Sequence, residues 1–275
     1  IVRIISNLVI NTTASGLGSY VGFTAGANKI YFPLVMKGNS NNDTTFNVQN
    51  AGTSGSVTIN IHFEPEVGQG YTTIPDVTDT IPQGAAHTYD LTQMSQFSGV
   101  SKWVGSATVE VTDPADGKIA GVATTVNTKQ ANAYALYTYN AFTGGSTTVI
   151  APLIQENNSG NRTSINCQNI DTSTTTTIRV DYTPESGSAS KASEEKSGIG
   201  PNGVAVFLQD YQGATKFVGS ARITSDPAVP MVCVINQQKP SQGKGSAYEG
   251  FDPAKATSKV VLPLVQSRNG NDTKG

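Results

Sequence analysis

The chain repeats itself, and that constrains its fold more than any single motif. Lys29-Ile-Tyr-Phe-Pro-Leu-Val35 returns as Thr148-Val-Ile-Ala-Pro-Leu-Ile154, and again as Lys259-Val-Val-Leu-Pro-Leu-Val265. Asn47-Val-Gln-Asn50 returns as Asn166-Cys-Gln-Asn169, and Lys102-Trp-Val-Gly-Ser-Ala107 as Lys216-Phe-Val-Gly-Ser-Ala221. Self-similarity at a fixed period is the signature of an array of like units. Such a chain suits extension, display or adhesion.

Recurring landmarks set the period. Tyr20-Val-Gly-Phe23, Tyr139-Asn-Ala-Phe142 and Tyr248-Glu-Gly-Phe251 close successive units, with steps of 119 and 109 residues between the phenylalanines. Two units follow, at 24–142 and 143–251, the first absorbing its extra length largely between Val67 and Gln83. Leu8-Val-Ile-Asn11 matches Cys233-Val-Ile-Asn236. Residues 1–23 therefore read as the tail of a preceding unit, and 252–275 as the first strand or strands of a following one.

Lone strands and hairpins bury too little apolar surface to stand in water, and an open edge invites another chain. Ile1, Ile4, Ile5, Leu8 and Ile10 at one end, and Val260, Val261, Leu262, Leu264 and Val265 at the other, read as assembly strands. Either the chain continues or another copy donates the missing strands; continuation is the simpler reading.

Within each unit the apolar residues alternate: Val57, Ile59, Ile61 and Phe63 in the first, Ile178, Val180 and Tyr182 in the second. Period two over short runs predicts half-buried strands. Turn chemistry separates them, as at 38–43, 52–55, 113–117, 157–160 and 201–203. Only Asp90–Gly99 and Asp210–Thr215 suggest a helical turn. The expected fold is all-β: tandem Ig-like β-sandwiches of about seven strands each, with partial units at both ends.

Pro33, Pro152 and Pro263 interrupt the first strand of each unit, and proline cannot donate a ladder hydrogen bond. That strand either switches sheets at its proline or lies at an edge. Tyr20 with Phe23, Tyr139 with Phe142 and Tyr248 with Phe251 are expected to plug the joints between units, although core aromatics would look the same.

Composition narrows the partners. Charged residues are 14% of 275, against about 25% in average soluble proteins; Thr, Ser, Asn, Gln and Gly supply the polarity instead. A net charge of −2 offers no basic footprint, so no nucleic-acid partner is expected. The longest apolar run, Ala228–Ile235, is far short of the about 20 residues a spanning helix needs. No membrane-spanning segment is expected.

Candidate chemistry is sparse. Cys167 and Cys233 share strand parity with core residues of one unit, and form either a disulfide or two free thiols in its core. Asn11, Asn42, Asn157, Asn161 and Asn271 each begin an Asn-x-Ser/Thr acceptor for N-linked glycan, or simply supply turn chemistry. Asp113 and Asp116 could face calcium, but the second unit has Asp226-Pro-Ala-Val where the first has Asp113-Pro-Ala-Asp. Of the two histidines, His62 reads as a solvated strand residue and His87 as a loop contact. Neither neighbours a nucleophile elbow. No cofactor, metal or catalytic residue is assigned.

At Ile30-Tyr-Phe-Pro-Leu-Val-Met-Lys-Gly38, and through the repeated segments above, the chain resembles secreted bacterial surface proteins with tandem β-sandwich or Ig-like modules. The resemblance implies an extracellular, non-enzymatic protein of a filament, stalk or surface layer, self-associating into a homopolymer or packed against neighbouring repeats. It transfers no functional residue, since fold alone does not decide function. The alternative is an adhesin or glycan-binding module taking surface glycans; Trp103 could seed an aromatic platform, although its counterpart Phe217 suggests core.

Overall fold

The computed structural model describes residues 5–11, 15–130, 133–209 and 215–260. The chain is all-β. A hairpin comes first, β1 (Ile5–Asn11) and β2 (Ser15–Val21). Then follow β3 (Lys29–Lys37), β4 (Asn42–Asn50), β5 (Val57–Pro65), β6 (Val77–Ile81), β7 (Ala86–Asp90), β8 (Trp103–Asp113), β9 (Ile119–Gln130) and β10 (Ala133–Asn140). The same order recurs as β11 (Thr148–Glu156), β12 (Arg162–Asn169), β13 (Thr176–Pro184), β14 (Glu194–Ile199), β15 (Val204–Leu208), β16 (Phe217–Asp226), β17 (Met231–Lys239) and β18 (Lys244–Glu249). Among the described residues each unit thus has eight strands where about seven were expected, one more per unit. Of the two expected helical turns, the first is a single 3-10 turn at Ser95–Phe97, and 210–214 lie outside the described residues.

Each eight-strand unit is a two-sheet sandwich. In the first, sheet β3-β8-β5-β6 faces sheet β10-β9-β4-β7, and the second sheet is extended beyond β10 by β2 and β1. In the second, β11-β16-β13-β14 faces β15-β12-β17-β18. One core holds Phe32, Phe46, Phe63, Phe97 and Trp103; the other holds Ile154, Ile165, Ile178, Phe207 and Phe217. Trp103 is fully buried and its indole N–H donates to the Thr72 carbonyl at 2.9 Å. The long 67–83 segment of the first unit therefore lies against this side chain, and Phe217 needs no such partner.

The repeated residues do repeated local work. Thr44 Oγ1 accepts from Met36 N–H, and Thr163 Oγ1 from Gln155 N–H, at 2.9 and 2.8 Å. The side-chain amide of Asn50 donates to the Gly55 and Ile81 carbonyls, and that of Asn169 to the Thr174 and Ile199 carbonyls. A buried amide that pins two loops explains why the last Asn of Asn-x-Gln-Asn recurs.

Pro33 and Pro152 lie on edge strands, β3 and β11, at irregularities between Phe32 and Val35 and between Ala151 and Ile154. Both strands pair with the same neighbour, β8 or β16, on each side of the break, and each adds a single bridge on its other edge, Tyr31 to Phe142 and Ile150 to Phe251. The edge reading of the proline strand holds, and no switch of sheet occurs. Pro263 lies outside the described residues.

The hairpin corrects one sequence match. Ser6 pairs with Tyr20 as Ile235 pairs with Tyr248 and Ala123 with Tyr139. Ser6 is thus the counterpart of Ile235, and the string ending at Asn11 sits farther along its strand than the string ending at Asn236. Strand pairing places these residues by distance from the turn, so a shared tripeptide is displaced when loop lengths differ.

Candidate functional site: the joint between sandwiches and its closing strands

The two sandwiches stack sheet on sheet, so the molecule has four β-layers. The outer face of β3 and β8 meets the outer face of β12 and β17. Gln168 Nε2 donates to Thr108 Oγ1 at 2.9 Å, and Thr108 Oγ1 donates to Asn202 Oδ1 at 3.0 Å. Ser106 Oγ donates to the Asn202 carbonyl. Asn202 reaches across from the β14–β15 turn, where it takes a positive φ of 62°. Val234 joins the first sandwich's core cluster, with Val206 and Ala247 packed against it. Tyr31, Ile170, Val232 and Phe142 form a third apolar cluster at the same joint.

Polar and ionic contacts surround this centre. Glu66 and Val204 form a parallel bridge, and Lys196 Nζ lies 3.2 Å from Glu66 Oε1. Burial pushes the Glu66 carboxyl up, and the Lys196 ammonium opposes that shift. Asn166 Oδ1, Gln168 Oε1 and Asn236 Oδ1 are buried without a protein donor. Apart from the Glu66–Lys196 pair, the joint is built from neutral amides and hydroxyls around a small apolar centre.

A second relationship links the closing strands. Asn140 on β10 holds the backbone of Val21 on β2: its Nδ2 donates to the Val21 carbonyl at 2.6 Å, and its Oδ1 accepts from Val21 N–H at 3.2 Å. Glu249 on β18 holds β10 in turn, its Oε1 accepting from Asn140 N–H at 3.1 Å. Residues 21, 140 and 249 are equivalent in the three closing segments, so a side chain of each later unit grips the backbone of the unit before it. Glycines permit the approach: a Cβ on Gly16 would stand 2.2 Å from Leu136 Cδ1, and one on Gly245 2.4 Å from Tyr137 Cε1.

The six aromatics expected at the joints divide. Phe142 lies in the joint cluster. Tyr139 belongs to its own sandwich, buried, its hydroxyl donating to the Leu34 carbonyl at 2.6 Å and accepting from Leu34 N–H at 3.4 Å. Tyr248 repeats this at Leu153, at 2.8 and 3.3 Å. These tyrosines satisfy the backbone that the proline irregularity takes out of the ladder, a role within each unit that corrects the plug assignment. Phe251 is 56% exposed beside Tyr248, and Tyr20 and Phe23 are partly exposed.

The other candidates fall as follows. Cys167 and Cys233 stand directly opposite in the β12–β17 register, Cα to Cα 4.1 Å, and are joined as a disulfide. Asn42 and Asn161 both donate through Nδ2 to the turn, to the Asn39 and Asn158 carbonyls at 2.8 Å. Asn157 adopts a positive φ of 47°. Asn11 lies at the end of β1, and Asn271 lies outside the described residues. Ile5, Leu8 and Ile10 are in β1, and Val260 is exposed; Ile1, Ile4, Val261, Leu262, Leu264 and Val265 lie outside the described residues.

His62 sits between two carboxylates, Nδ1 2.8 Å from Asp76 Oδ1 and Nε2 3.3 Å from Glu64 Oε2. The Glu64 hydrogen bond leads the effects that push its pKa up to about 9. His87 lies on strand β7 rather than in a loop, 2.7 Å from Asp79, which also accepts from the Tyr89 hydroxyl. No group of three or more His, Cys, Asp or Glu side chains that could hold a metal occurs among the described residues. No helix among them is long and apolar enough to cross a membrane.

The fold and joint define an all-β protein of stacked tandem sandwiches. Neither protein-family profiles, nor curated proteins, nor solved structures give a match to this chain.

Proposed function

We propose that this is a structural repeat protein of the cell exterior, whose sandwiches stack in series to build a filament, stalk or surface layer. The observation that carries this reading is the repeated grip at residues 21, 140 and 249. One relationship joins the hairpin to the first sandwich and the first sandwich to the second, and nothing in its geometry restricts it to two steps. Stacking through such a relation produces a rod.

Two further features support it. A disulfide between neighbouring strands suits an oxidising, extracellular compartment. The low charge content leaves neutral polar groups to solvate the outer faces, as on many surface proteins. The role needs no catalysis, cofactor or nucleic acid. An adhesin or glycan-binding reading finds no platform at Trp103, which is fully buried.

Electron microscopy of the native material tests the proposal. Fibres or sheets with an axial repeat matching one sandwich are expected. Native material consisting of isolated globular particles would refute it.

A further inference from the structure

The joint inside the chain is one closed instance of a contact whose two halves each occur twice. The half supplied by the first sandwich contains Leu34, 3% exposed, with Ser106 and Thr108 buried. Their counterparts in the second sandwich, Leu153, Ser220 and Arg222, reach solvent to a partial or full extent, and Leu153 is 40% exposed. The half supplied by the second sandwich contains Asn166, Gln168 and Val234, all buried. Their counterparts in the first, Asn47, Gln49 and Val122, are partly or fully exposed although the Asn-x-Gln string is the same. Strand burial records the difference: β12 is buried on both faces from its second residue, while β4 alternates. The two open halves lie on the outermost layers of the four-layer stack, facing opposite ways.

We propose that a second copy of this chain supplies each missing half, the β11–β16 face of one copy seating on the β4–β9 face of the next. The proposal rests on the structural-repeat reading and names its partner and surfaces. Leu34 and Val234 share one apolar cluster in the closed joint, so Leu153 is matched to Val122. Arg222 stands where Thr108 meets Gln168, and its guanidinium donors suit the amide oxygen of Gln49. The two surfaces differ, so the contact is heterologous and propagates as an open filament.

One strand must change places. In the closed joint β18 lies beside β10; on the open face β2 holds that seat. Val21 and Glu249 are equivalent, so Asn140 of the receiving copy exchanges its grip on the Val21 backbone for one on the neighbour's Glu249 backbone. Hydrogen bonds lost to the hairpin are regained across the new contact.

Sedimentation velocity of the full chain over a concentration series reads the outcome. Species that grow beyond a dimer as concentration rises are expected. Gln49→Arg places a second positive group against Arg222, and Arg222→Glu removes the donors; each should raise the concentration needed for association tenfold or more. Both residues are exposed, so unchanged circular dichroism and melting will confirm the fold. Mixing the two single variants sets the introduced guanidinium at position 49 against the introduced carboxylate at position 222 and leaves the native contact at alternate joints, so association should return. A chain that stays monomeric throughout, or variants that associate like the parent, overturns the inference. Fibrous native material alongside a monomeric purified chain defeats this inference alone, whereas non-fibrous native material defeats the proposed function itself.

Discussion

The side-chain amide of Asn140 satisfies both backbone hydrogen-bonding groups of Val21, donating to its carbonyl and accepting from its N–H. One residue thereby ties the hairpin to the first sandwich at a point where β2 and β10 share little regular ladder. Asn140→Ala should remove both bonds, at a cost of about 1 kcal/mol per bond to hairpin docking. Amide hydrogen exchange at Val21 should quicken while the buried strands of either core stay protected. Unchanged exchange at Val21 would show that the clasp does not hold the hairpin.

Tyr139→Phe should destabilise the first sandwich by about 1–3 kcal/mol, because it strands the buried Leu34 backbone groups. Tyr248→Phe should cost less: the Leu153 carbonyl keeps its bond from Gln237 Nε2 at 2.8 Å and lies nearer to water. Denaturant unfolding of the two variants checks the ranking.

Thr108→Val leaves the buried Gln168 amide without its partner, and should cost about 1–3 kcal/mol. The double variant Thr108→Val with Gln168→Leu should recover most of that loss, since both ends of the bond are then apolar. A double-mutant cycle measures the coupling. Additive losses would mean that the Gln168–Thr108 bond contributes nothing to the joint.

His62 binds its proton more tightly folded than unfolded, with the pKa pushed from 6.5 up to about 9. Its ion pairs with Glu64 and Asp76 therefore contribute fully below pH 6.5, and the contribution disappears as pH rises through about 9. The site is partly exposed, so the effect is small. Melting temperatures of the parent and His62→Gln should differ at about pH 6 and converge above about pH 10.

The Cys167–Cys233 bond closes a segment 66 residues apart in sequence. Chain-entropy reasoning assigns about 4 kcal/mol to such a closure. Cys167→Ala with Cys233→Ala should lower the unfolding free energy of the second sandwich, with mass analysis before and after reduction confirming the bond in the parent.

The alternating residues of Val57–Phe63 and Ile178–Tyr182 made the strands and their inward faces legible, because a strand with one solvated face must alternate. The edge strands β6, β7 and β14 are harder to read. Thr78 and Asp79, or Glu195 and Lys196, carry little apolar pattern where only one face packs weakly. The closing tyrosines were legible as repeated aromatics but not in role, since their hydroxyls act on backbone of a strand 105 residues earlier for Tyr139, and 95 earlier for Tyr248. The sequence suggests only a loop contact for His87 because the short strand β7 has a single buried residue, Tyr89, to signal it.

Local pattern determined that this chain is all-β, that it counts in two like units, and that Cys167 and Cys233 point inward. The tertiary structure alone decided which copy of Asn-x-Gln is buried. Asn47 and Asn166, Gln49 and Gln168 are the same residues on the same strand, yet one pair faces outward and the other meets Thr108 and the first sandwich. Periodicity fixes which way a side chain points within its own sandwich; what stands beyond that face depends on how whole sheets stack, and amides that bond equally well to water or to a neighbouring sheet carry no mark of the choice.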